Sequence, residues 1–151
     1  MIKSAFTMIE LIFVILVLGI LAVIAIPKLT ATRDDAKIST VGKNIMTASF
    51  EIASYVVAKN SVDPVMSHMS DAIQVMVASG DAVESERHVA FKMGTIPNCV
   101  NLDINSSESG NVELLDISYA SPAGDHLCAG LQQTIHEQDF PIPLKGKKIV
   151  R

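Results

Sequence analysis

Residues 6–26, FTMIELIFVILVLGILAVIAI, form a 21-residue stretch with a single charge, Glu10. As an α-helix rising about 1.5 Å per residue, the stretch spans about 31 Å, the thickness of a bilayer's hydrocarbon core. The remaining chain folds into a domain too small to hide such a rod. A membrane hides it, and so does a bundle of identical rods. Glu10 lies near the start of the run, with unbroken apolar sequence behind it from Leu11 to Ile26. A carboxylate in that setting costs a few kcal/mol unless it is paired, which makes Glu10 a functional candidate.

A secretory signal peptide has an apolar region of about 7–15 residues that ends at a small-residue cleavage site. Here the run is longer, and Pro27, Lys28 and Arg33 interrupt the small residues beyond it. That pattern favours a helix that stays with the protein. The flanking charges do not fix its orientation. Lys3 lies on one side and Lys28, Arg33 and Lys37 on the other, a count that by itself places the domain in the cytoplasm. Asp34 and Asp35 offset part of that bias.

Beyond Pro27 the apolar residues change rhythm. Ile38, Val41, Ile45, Ala48, Ile52 and Val56 recur at intervals of three and four, the stripe of an amphipathic helix. The pattern continues to about Lys59, so one helix of about 55 residues is expected, bent at Pro27 but not ended there. A second helix is expected from Asp63-Pro64 to Ser79-Gly80, burying Met66, Met69, Ile73, Met76 and Val77. From His88 the period becomes two. Val100, Leu102 and Ile104 make one strand and residues 112–119 a second, joined as a hairpin across the polar segment 105–111. A short helix is expected from Leu127 to about Glu137. The terminal FPIPLKGKKIV is expected as a last strand or a small hairpin around Gly146. Pro141 and Pro143, two apart, place that strand on a sheet edge.

Composition excludes little but ranks the chemistry. The net charge of −4 is too small to imply an anionic partner through overall field. With no Trp and few aromatics, a stacking surface for nucleic acid has little to build on. His68, His88, His126 and His136 show no metal-ligand spacing. Asp103, Glu108, Glu113, Asp116 and Asp125 gather around expected loops without the pattern of a calcium-binding EF-hand, so no metal or other cofactor is expected. No Ser sits on a nucleophile elbow, and no enzyme activity is expected. The basic residues Lys145, Lys147, Lys148 and Arg151 are compatible with a DNA contact, but lysines there also guard a sheet edge against pairing, so DNA is not indicated. Cys99 and Cys128 are the only cysteines. Behind a membrane segment, in an oxidising compartment, they read as a bridge. Two reduced, buried thiols are the alternative.

The junction Ser4-Ala5-Phe6-Thr7-Met8-Ile9-Glu10 has a chemical logic of its own. A cut between Ala5 and Phe6 exposes a new α-ammonium at Phe6, four residues before Glu10. It is then in reach on one helix face or from a parallel neighbour. The cut creates the cation that the carboxylate lacks, and pairing of that kind sets register between rods as well as affinity.

These residues resemble the class III signal of type IV pilins and type II secretion pseudopilins: Ala5-Phe6-Thr7-Met8-Ile9-Glu10-Leu11, then an apolar run to Pro27. The resemblance is specific over residues 1 to about 30. It implies cleavage by a prepilin peptidase between Ala5 and Phe6, N-methylation of Phe6, subunit registration by Glu10 and a helix kink at Pro27. It also implies that Cys99 and Cys128 close a C-terminal disulfide loop, and it keeps calcium at the loops around Asp103, Glu108, Glu113, Asp116 and Asp125, where some pseudopilins bind it, as the alternative to no cofactor. Ala5 departs from the Gly that the family usually places before the cut.

The expected fold is α+β: a long N-terminal helix, membrane-embedded in its first half, with a small antiparallel sheet packed on its second half. Residues 1–5 form the leader, 6–27 the transmembrane and assembly helix, and 28–151 a pilin-like globular domain. The expected function is a structural subunit of a type IV pilus-like filament or a type II secretion pseudopilus. Its partners are other pilin-like subunits, the inner membrane, the prepilin peptidase and the assembly machinery. The domain is expected in the periplasm before assembly into a pseudopilus or extracellular pilus. The alternative is a single-pass anchored periplasmic binding or adhesin domain that does not polymerise.

Overall fold

A single α-helix, α1, runs from Met8 to Lys59, 52 residues that include Pro27. Proline has no N–H to offer the Val23 carbonyl one turn earlier, yet the helix continues on both sides of it. The protein is described from a computed structural model over residues 7–106 and 112–145. The chain divides into two compact units, Met1–Lys37 and Ile38–Arg151. In the first unit, Met8–Ala25 is long and apolar enough to cross a membrane, and none of it is buried.

In the second unit, α1 presents the stripe expected from its spacing. Val41, Ile45, Ala48, Ile52 and Val56 are all buried. They pack into one core with strands β1 (Ala82–Ser85), β2 (His88–Met93), β3 (Ile96–Ser106), β4 (Glu113–Tyr119) and β5 (Ile142–Pro143). These strands form a single antiparallel sheet in the order β1-β2-β3-β4-β5. Register decides which face meets the core. Val89, Leu102 and Ile117 stand in one cross-strand row, Phe91 and Val100 in the next, and all five are buried. The intervening rows, such as His88–Asp103–Asp116, carry the polar residues on the other face. Each fully buried large side chain in this core contributes about 1.5–3 kcal/mol relative to exposure.

Three points need correction. The segment after α1 is not one helix from Asp63-Pro64. It is a 3₁₀ turn, Met66–His68, followed by helix α2, Asp71–Ser79. Asp63 Oδ1 does accept the Val65 N–H at 2.9 Å, closing a local turn. The helix proper begins later because Ser70 caps it, accepting from the Ile73 N–H at 3.1 Å. The Ser70 hydroxyl in turn donates to Glu51 of α1 at 2.7 Å, and the Ala72 N–H reaches the same carboxylate oxygen at 3.1 Å. A tertiary contact therefore selects the start. The end is as expected: Gly80 adopts the left-handed conformation that closes α2 at φ +79°.

The second correction is strand β1, which no pattern in the sequence announces. It pairs with β2 in a hairpin whose turn holds Arg87 at φ +60°. Arg87 donates from Nε to the Ile104 carbonyl at 3.2 Å and pairs with Glu113, which joins the turn to the β3–β4 pair. The expected hairpin of β3 and β4 is present, and residues 107–111 between them lie outside the described residues. The short helix α3 is His126–Thr134, ending sooner than expected. Ile142–Pro143 pairs with β4 at the sheet edge, as the two prolines require. Gly146 and the rest of the terminal hairpin lie outside the described residues.

Candidate functional site

The chemistry anticipated from the sequence falls in two places, one in each unit. Ala5 and Phe6, the expected cleavage and methylation positions, lie outside the described residues. Thr7 and Glu10 are described. The Thr7 carbonyl accepts from the N–H groups of Glu10 at 3.1 Å and Leu11 at 3.2 Å, which opens the helix. The Thr7 hydroxyl reaches Glu10 Oε2 at 3.5 Å, the outer limit for a hydrogen bond. Thr-x-x-Glu is the spacing of a capping box, so the sequence carries a local role for Glu10 beside the expected role in assembly.

Glu10 thus sits in the first turn of α1, where the positive end of the helix dipole favours an anion. Among the described residues its side-chain partner is that one hydroxyl, and a carboxylate offers about four lone-pair sites. The group is oriented by its own helix and retains capacity for a stronger, cationic partner. Behind it the apolar side chains are exposed all round the helix, from Leu11 at 54% to Val23 at 72%. Pro27 lies within α1.

The second place surrounds the cysteines. Cys99 of β3 and Cys128 of α3 form a disulfide with their Cα atoms 5.7 Å apart, and both are fully buried. Gln132, one turn beyond Cys128, donates to the carbonyls of Cys99 at 2.9 Å and Ala120 at 2.7 Å. One amide thereby ties α3 to β3 and to the residue just after β4, beside the bridge. Asp125 does more. Its Oδ1 accepts the N–H groups of Leu127 and Cys128 at 2.9 and 3.1 Å, capping α3. Its Oδ2 accepts the N–H and hydroxyl of Thr95, both at 2.8 Å, holding the β2–β3 turn. Gly94 in that turn has φ +60°, and a Cβ there would lie 2.3 Å from the Asp125 carboxylate, so only glycine fits. The donors around Asp125, those of Thr95 foremost, lower its carboxyl to about 2.

A usable signal for Asp125 exists in the sequence, an Asp directly before a helical run, but none exists for Gln132 or Thr95. The other acidic candidates are committed elsewhere. Asp103 meets His88 Nδ1 at 2.6 Å, Glu113 pairs with Arg87, and Asp116 Oδ1 accepts the N–H of Ile117 at 2.9 Å. Glu108 lies outside the described residues. Among the described residues, no group of three His, Cys, Asp or Glu side chains could hold a metal ion. His68 faces Asp63 at 3.3 Å. The Ser118 hydroxyl points to Asp103 at 3.4 Å, so in this Ser, Asp and His cluster the hydroxyl meets the carboxylate and not the imidazole.

No protein-family model, curated protein or solved structure matches this chain.

Proposed function

We propose that this protein is a pilin-like structural subunit, cut between Ala5 and Phe6, methylated at Phe6, and polymerised into a type IV pilus-like filament or a type II secretion pseudopilus. Before assembly it is held in the inner membrane with its domain in the periplasm. The observation that carries this reading is the N-terminal end of α1. An apolar helical segment with nothing buried begins at a first turn that holds a carboxylate four residues from the amine that cleavage would free. Rods of this kind associate by burying apolar surface, and a Glu10–Phe6 pair fixes their register. The disulfide and the antiparallel sheet are compatible with the same class.

Intact mass of the protein from its producing membrane tests the proposal. A chain lacking residues 1–5 and carrying one added methyl group is expected. An uncut, unmethylated chain would instead leave a single-pass anchored domain. Glu10→Leu is expected to insert in the membrane normally but to lower filament yield at least about tenfold, and normal yield would remove Glu10 from assembly.

A further inference from the structure

Beside α1 in the second unit lies a groove of about 390 Å³ walled by Phe50, Glu51 and Tyr55 on one side and His68, Met69 and Asp71 on the other. Phe50 stands 73% exposed at its rim. The walls carry two carboxylates, Glu51 and Asp71, and no lysine or arginine. Phe50, Tyr55 and Met69 beside two carboxylates, one of which, Glu51, already accepts from Ser70 and Ala72, call for an occupant that is apolar and cationic together. Residues 146–151, GKKIVR, have that chemistry: Ile149 and Val150 are flanked by Lys147, Lys148 and Arg151. The proposed function leaves this basic segment unused.

We propose that the groove receives residues 146–151 of a second copy of the chain. Reach favours a neighbour over the chain's own tail. The groove belongs to the β1 side of the sheet, because the Ser67 N–H just before His68 is bonded to Glu84 of β1 at 2.7 Å. The tail leaves from β5, at the opposite edge. Four strand spacings of about 4.8 Å make the sheet about 19 Å wide. The six residues 146–151 extend at most about 22 Å from Lys145, so they would be nearly fully stretched in reaching the chain's own groove and could not also lie along it. Between copies the contact is head-to-tail: the β5 side of one domain meets the β1 side of the next. A heterologous contact of this kind propagates along an assembly and does not close on a pair. The proposal rests on the chain being a self-assembling subunit, and adds to it a specific contact between domains.

Full-length chains with Phe50→benzoylphenylalanine, half of them ¹⁵N-labelled, are isolated from the producing membrane, mixed and reconstituted in liposomes. After illumination, cross-links should run from position 50 to the 145–151 segment and join a labelled with an unlabelled copy. Lys147→Glu with Lys148→Glu should lower their yield about tenfold, and adding Asp71→Lys should restore it. Links confined to one copy, links to other segments, or a yield indifferent to these charges each overturn the proposal. The mass of the chain is read from the same sample. An uncut chain that still forms the link sinks the pilin reading alone. A cut and methylated chain without it sinks this proposal alone.

Discussion

Two stretches of one helix use apolar residues in opposite ways. Along Met8–Ala25 they cover every face and none is buried. From Val41 to Val56 one stripe, Val41, Ile45, Ala48, Ile52 and Val56, disappears into the core, while Lys43, Thr47 and the single apolar exception Phe50 stay outside. Helix propensity is served in both stretches, so propensity does not separate them. What separates them is where the apolar surface finds cover. The second stretch finds it within its own unit, in one core with Phe91, Val100 and Leu102. The first, long and apolar enough to cross a membrane, finds none of it among the described residues.

The sharpest way to break this contrast is to place the same kind of lesion in each stretch. Ile45 is fully buried, and Ile45→Ala should cost about 2–5 kcal/mol of domain stability. Leu16→Ala, at a position 56% exposed, should leave the unfolding midpoint in detergent unchanged. Denaturant melts of the full-length variants measure both. A matching loss from Leu16→Ala would mean that the rod and the domain fold as one cooperative body.

The disulfide sharpens the same point from the domain side. Closing a loop of 29 residues contributes about 3–4 kcal/mol on the chain-entropy model, so Cys99→Ser with Cys128→Ser should lower domain stability by about that amount. Membrane retention through the first stretch should not change. Fractionation and melts on the same variant separate the two effects.

The smallest expected effect comes from acid. The folded protein holds the Asp125 carboxyl at about 2, below its usual 3.8. A carboxylate lowered on folding contributes its stabilisation above the unfolded value and loses it as pH falls through the folded one. The domain should therefore weaken between about pH 4 and about pH 2, and Asp125→Asn should flatten that part of the curve. A variant as acid-sensitive as the parent would move the effect to other carboxylates.

Much of this architecture was legible in the chain, because it rests on period and length. The 3-4 spacing of Ile38 to Val56 revealed the buried stripe of α1, alternation around Val100 revealed β3, and Pro141 with Pro143 revealed an edge. The misses have two causes, contacts between groups far apart in the chain and an element too short to show a period. Ser70 begins α2 because Glu51, 19 residues earlier, holds its hydroxyl, and nothing local to Asp63-Pro64 announces that contact. Strand β1 is four residues long, too short for a period to show. Asp125 appeared as one acid among five, and only the folded chain brings Thr95, 30 residues away, against it.

By itself the sequence determined a long apolar helix carrying one charge near its start, the change of rhythm beyond Pro27, and a polar-apolar alternation that could only become a half-buried sheet. These follow from covalent periodicity, which is set before the chain folds. Tertiary structure alone decided that Gln132 and Asp125 fasten α3 to the sheet and that Ser70 opens α2. Each of those depends on groups far apart in the chain finding partners in space, and no local pattern encodes such a meeting.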